Sequence, residues 1–173
     1  MAKMKKASIL LLSIAALSSC AKTTPPESDT GVVASAPAAD AAADEQAIRA
    51  VNPVWFKAHS AGDVEGLVAL YSDDAVISVP GVPPVRGTAA IRESFAKDVR
   101  DMAAAGLSMK SGANAEFVVS ADLGYEWNTF TLTDKAGKTV DTGKYLTVFG
   151  RRNGKWVIVR DIWNSDSPAA PTS

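Results

Sequence analysis

The spacing of apolar residues changes once along the chain, near residue 107: helical before it, alternating after it. In the first half Ile48, Val51, Trp55 and Ala58 predict one buried helix face, in a helix starting near Asp44. Pro53 predicts a kink, or a second start with Asn52 as cap and proline at the first helical position. Gly62 ends this unit. Asp63 caps the next, a helix to about Tyr71 with Val64, Leu67, Val68 and Tyr71 inward. A short strand over 75–79 and a stiff Pro-Gly-Val-Pro-Pro loop over 80–84 follow. A third helix opens at Gly87-Thr88, buries Ile91, Phe95, Val99 and Met102, and ends at Gly106.

Beyond that point, 115–120 and 123–133 form a hairpin over Ala121-Asp122, and residues 134–137 turn the chain again. Residues 144–164 form a last hairpin around Asn153-Gly154, a strong short-range turn signal. Its second arm is apolar on both sides. Trp156, Ile158 and Ile162 point one way, interrupted by Arg160; Val157, Val159 and Trp163 point the other, interrupted by Asp161. Such a strand sits mid-sheet, with helices or a partner subunit on each face. Helices followed by a run of antiparallel strands is the α+β pattern, a curved sheet with helices on one face. There is no repeat and no alternation of strand with crossover helix, which argues against a doubly wound sheet.

The first 43 residues stand outside this pattern. Residues 1–6 are basic and 7–17 apolar, shorter than the roughly 20 residues a bilayer span needs. They close on Leu17-Ser18-Ser19-Cys20, which resembles the lipobox of bacterial lipoproteins. The resemblance implies a signal peptide over 1–19, cleavage before Cys20, and acylation of its sulfur and new amine. It implies a lipid-anchored protein of the bacterial cell envelope; Ala21 rather than Asp after the cysteine favours the outer membrane, facing the periplasm. Cys20 is the only cysteine, so it has no disulfide partner. Residues 20–43, rich in Ala, Pro, Ser and Thr, read as a flexible tether. That leaves one domain over 44–165 and a polar tail over 166–173. Without residues 1–19 the chain carries 15 basic against 19 acidic residues. A mildly acidic domain without a basic face is a poor nucleic-acid binder.

Within the domain, Trp55, Gly62-Asp63, Leu70-Tyr71, Asp73-Asp74-Ala75-Val76, Arg86-Gly87 with Ile91, Gly154-Lys155-Trp156 and Asp161-Ile162-Trp163-Asn164 occur in that order. Together they resemble the nuclear-transport-factor-2-like superfamily, in its SnoaL-like and ketosteroid-isomerase-like branch. The resemblance implies a cystatin-like cone: a bent antiparallel sheet wrapped on N-terminal helices, a pocket opening between them, and homodimerisation through the convex sheet face. It does not carry one chemistry, since this cone hosts isomerases, dehydratases and non-enzymatic binders.

No phosphate loop, nucleophile elbow, dinucleotide fingerprint or His-Glu-x-x-His occurs, so no cofactor is expected. One histidine and one cysteine leave no zinc site. Asp161 is the leading catalytic candidate, because a carboxylate on a doubly covered strand must be paired or face a cavity. In an apolar pocket its pKa would rise, as a proton carrier requires; an ion pair with Arg86 would make it structural. His59 reads either as a helix C-terminal histidine favoured by the dipole or as a general base at the cone mouth. Trp55, Tyr71, Tyr125, Trp127 and Trp163 are the candidate ligand-binding aromatics, the strand members among them competing with roles in core or dimer interface, as does Tyr145. Glu126 and Asn128 lie on the opposite strand face from Tyr125 and Trp127, and whichever pair points inward would orient a guest. The expected function is binding of a small, partly apolar molecule, with proton-transfer catalysis (isomerase or dehydratase) and protein docking as alternatives.

Overall fold

The computed structural model describes residues 38–168. The leader, Cys20, most of the expected tether and the end of the polar tail lie outside the described residues. Helix α1 (Ala38–Arg49) begins within the segment read as tether. It is followed by α2 (Val51–Ala61), α3 (Val64–Val68), β1 (Tyr71–Ser78), β2 (Val85–Arg86) and α4 (Gly87–Ala105). The strands β3 (Ser108–Ser111), β4 (Glu116–Ser120), β5 (Leu123–Thr133), β6 (Thr139–Arg152) and β7 (Lys155–Ser165) complete the domain. None of the described helices is long and apolar enough to cross a membrane.

Local chemistry sets the boundaries. α1 and α2 part at Ala50, so Pro53 falls in the first turn of α2, where its missing N–H would have no intrahelical acceptor anyway. Asn52 is therefore inside the helix rather than capping it, and its side chain is free to reach the sheet. Gly62 closes α2 at φ 68°, and Asp63 caps α3 by accepting from the Gly66 N–H at 2.8 Å. α3 is shorter than the spacing predicts: it stops at Val68, and Tyr71 opens β1 instead of ending a helix. Tyr71, Ala75 and Ile77 are buried, while the polar Ser72-Asp73-Asp74 between them falls where the register against β7 shifts.

The sheet runs β2-β1-β7-β6-β5-β3, with β4 also paired to β5. One pair departs from the expected antiparallel order, since β1 and β7 are parallel. The α+β architecture is as expected, a curved open sheet with helices packed on it. Ile48, Leu67, Ile91, Phe95, Phe149 and Ile158 form the core between them. On the other face Tyr125, Trp127 and Ile162 are exposed, so the described residues cover this part of the sheet on one side rather than two.

The last hairpin turns at Asn153 (φ 51°) and Gly154 (φ 77°), the left-handed pair that a two-residue loop demands. A bulge then rearranges β7. Phe149 pairs with Ile158 but Val148 pairs with Arg160, leaving Val159 unopposed. The extra residue reverses the alternation: Trp156 and Ile158 pack against the core before it, and Asp161 and Trp163 face inward after it. The two uniform faces read from the sequence are thus exchanged midway along the strand.

Gly143 is fixed by a close approach. A Cβ there would stand 2.2 Å from Phe130 Cζ and 2.3 Å from the Asn164 carbonyl oxygen. Gly143→Ala should therefore destabilise the domain by about 1–3 kcal/mol through overpacking. Equilibrium urea unfolding checks this; an unchanged midpoint would mean that the Phe130 ring and the β7 backbone yield at no cost.

Candidate ligand pocket

Three neighbouring strands place one inward residue each in a single row. Glu126 on β5 opposes Thr147 on β6, which opposes Asp161 on β7. The next row is Asn128, Tyr145 and Trp163. At the spacing of paired strands, the Glu126 and Asp161 backbones are about 10 Å apart. Between these rows and helices α2 and α4 lies a cavity of ≈ 150 Å³. Trp55, Phe56, Phe95, Phe130, Phe149 and Trp163 supply aromatic wall, and Asp98, Glu126 and Asp161 are its charged residues.

Asp161 accepts two hydrogen bonds, from the Tyr71 hydroxyl at 2.7 Å and from Thr147 Oγ1 at 3.1 Å. Tyr71 in turn accepts from Trp55 Nε1 at 2.9 Å. No basic side chain among the described residues pairs with Asp161, so the ion pair with Arg86 is not formed. Burial pushes its carboxyl up to about 6, against the lowering effect of the Tyr71 and Thr147 bonds, with the nearby Glu126 charge adding to the rise. Burial beside that carboxylate also holds the Tyr71 hydroxyl well above its usual range, so Tyr71 is a donor and not a base.

Glu126 is 1% exposed. Its Oε1 accepts from Asn52 Nδ2 at 2.5 Å, the Tyr145 hydroxyl at 2.7 Å and Asn128 Nδ2 at 3.4 Å. Burial raises its pKa, opposed by these neutral donors and, more weakly, by the charge of Arg49. Ser111 closes the cluster, bonding to Tyr145 at 3.1 Å and to Asn128 Nδ2 at 2.8 Å. The third acid, Asp98 on α4, stands with Oδ2 2.7 Å from Nε2 of His59.

The sequence candidates divide. Asp161, Trp55 and Trp163 line the cavity, and Tyr71 stands behind Asp161 as its donor. His59 is buried at the end of α2 with its ring stacked on Trp55, centroids 5.0 Å apart; it meets the cavity through Asp98 and does not line it. Tyr125 and Trp127 are a correction. They are 38% and 39% exposed on the outer sheet face, and Glu126 and Asn128 are the inward pair. Sequence reasoning missed Asn52, Thr147 and Asp98 as site residues and left Tyr145 between ligand contact and core or dimer interface. The cross-strand row could have found Thr147; Asn52, which beside Pro53 reads equally as a helix cap, carries no such signal. Among the described residues no group of three or more His, Cys, Asp or Glu is placed to hold a metal ion.

A family model described as a SnoaL-like domain matches residues 54–159, more than half of the chain. The chain belongs to the SnoaL-like domain family. Solved structures with the same fold include an NTF2-like protein with a cystatin-like fold from Novosphingobium aromaticivorans. That protein is 22% identical, with 74% of this chain and 86% of the other aligned at a TM-score of 0.66. A cystatin-like protein from Nostoc punctiforme is 19% identical, covers 75% and 96%, and gives a TM-score of 0.63. A ketosteroid isomerase-like protein from Erwinia carotovora atroseptica is 24% identical, covers 72% and 98%, and gives 0.59. At these identities the likeness shows the fold of this SnoaL-like domain and not its chemistry.

The raised Asp161 pKa carries a stability signature. The folded state holds that proton more tightly than the unfolded chain, so its contribution favours folding at low pH and is lost as pH rises through about 6. Relative to wild type, Asp161→Asn should gain about 3 kcal/mol of stability between pH 4 and pH 7 and nothing further above that. Denaturation midpoints of both proteins across this range test the assignment; parallel profiles would refute it.

Proposed function

We propose that this SnoaL-like domain binds a small, partly apolar molecule in the cavity between α2, α4 and the sheet. The observation that carries the reading is a hollow interior whose aromatic wall holds two carboxyl groups, Glu126 buried and Asp161 half-buried, neither paired with a basic side chain among the described residues. Carboxyls in such a place cost stability, and an occupant supplying donors offsets that cost. A docking module would need neither the cavity nor the unpaired acids, and is the weaker account.

Proton transfer is the second reading, favoured by one feature: Asp161 lines an apolar wall, where burial pushes its carboxyl up to about 6. In that scheme Asp161 takes and returns a proton on a bound substrate, as an isomerase or dehydratase requires. Tyr71 and Thr147 orient its carboxyl and stabilise it when charged. His59 becomes a positioning residue for Asp98 rather than the base at the mouth. Tyr125 drops out, because it faces outward. The similarity to a ketosteroid isomerase-like protein agrees with this chemistry without establishing it.

The setting is proposed from the leader: a lipoprotein anchored through Cys20 to the bacterial cell envelope, most simply the periplasmic side of the outer membrane. Homodimerisation through the open sheet face would cover Tyr125, Trp127 and Ile162, aromatic and aliphatic groups of the kind that interfaces bury.

Native mass spectrometry of protein purified from its own host should reveal a co-purifying small molecule, and Asp161→Asn should abolish any turnover without loss of fold. A large stability loss in that variant would assign Asp161 to structure instead. Cys20→Ser should release the protein from the membrane fraction; undiminished retention would end the anchoring proposal.

A further inference from the structure

The pocket has an unusual charge inventory. Three carboxyl side chains line it, and no lysine or arginine does. Nearby cations are engaged elsewhere: Arg49 pairs with Glu45 and lies 4.0 Å over the Phe117 ring, Arg92 pairs with Glu65, and Lys97 pairs with Asp101. Every donor to Asp161 and Glu126 is neutral: tyrosine, threonine or carboxamide. Such donors satisfy lone pairs without neutralising charge.

Glu126 sharpens this. All three of its donors converge on Oε1, and Oε2 receives no hydrogen bond from the described residues. A carboxylate that is 1% exposed, lines the cavity and keeps one oxygen without a donor is a half-made site. The same cavity is lined by Trp55, Phe56 and Phe95 from the helices and by Tyr145 and Trp163 from the sheet. Aromatic rings attract cations through their quadrupole, most strongly where water is excluded.

We propose that the occupant is a small organic cation, a protonated amine on an apolar body, whose N–H group bonds Glu126 Oε2 while its body rests on the aromatic wall. This rests on the pocket being a binding site and names the class of molecule it takes. Asp161, in the same row of the sheet, adds a second negative charge. An anionic guest would meet two acids without a basic hydrogen-bond partner, Glu126 and Asp161, and a third, Asp98, already bonded to His59. A neutral alcohol would offer one donor and no charge.

Three probes of one shape separate these classes: benzylamine, benzyl alcohol and benzoate, titrated calorimetrically into the purified full chain at pH 8. Benzylamine should bind at least about tenfold tighter than benzyl alcohol, with benzoate weakest. Glu126→Gln, which keeps an acceptor for Asn52 and Tyr145, should cut that preference to less than about threefold. Asp161→Asn should reduce the preference too, and serves if the Gln variant fails to fold. An alcohol binding as tightly as the amine would overturn the cation proposal and leave the pocket reading intact. Undiminished amine preference in a folded Glu126→Gln variant would remove Glu126 from the recognition. Binding of none of the three would end both readings together.

Discussion

Two acids on β5 and β7, held in one row by their common pairing with Thr147 on β6, are the constraint that the rest of this domain serves. Leaving such groups without counter-ions is expensive, and a sequence under selection for stability alone would replace them with apolar residues. Here they are retained and surrounded by neutral donors drawn from four elements: Asn52 from α2, Tyr71 from β1, Asn128 from β5, and Tyr145 and Thr147 from β6. These donors fix where the carboxyls point. Burial, the larger influence, keeps both pKa values raised. The result is a pair of acids pre-oriented in an apolar space, which suits either a charged guest or a proton to be moved.

Much of the fold was readable from period and turn chemistry. The stripe Ile91, Phe95, Val99 and Met102 on α4, the glycine stops at 62 and 106, and both hairpin turns are where spacing and left-handed residues require them. The errors have physical causes. Tyr71 continues the helical stripe of Val64, Leu67 and Val68, but the helix ends three residues earlier and the side chain reaches the core from a strand. The β7 bulge leaves no mark in composition. It inserts one residue into an alternation that is apolar on both faces, where a slip costs the pattern nothing.

The site was legible in one half only. Asp161 is conspicuous as an acid among Val, Ile and Trp. Glu126 is hidden because β5 wears its pattern inside out: Tyr125 and Trp127 face solvent, while Glu126 and Asn128 face the cavity. Hydrophobicity alone chooses the wrong face at those four positions. Phe130 and Leu132 share parity with Glu126, and their place on the cavity wall shows which face the strand turns inward. An aromatic pair on an open sheet face and an acid on the closed one both run against burial preference, and departures of that kind concentrate where a surface or pocket is used.

Helix α2 ties these features together. Asn52, Trp55 and His59 fall at helical spacing on one face, and each reaches a different acid: Asn52 directly to Glu126, Trp55 through Tyr71 to Asp161, and His59 to Asp98. The break at Ala50 and the stop at Gly62 therefore do more than delimit a helix, because they set a short rod linked by hydrogen bonds, directly or through Tyr71, to each charged wall group of the cavity. Displacement of α2 along its axis would disturb three hydrogen-bonded groups at once, and a guest that changes the charge on one acid acts on the same rod. On the proposed reading, occupancy of the cavity and the seating of α2 would be coupled through these bonds.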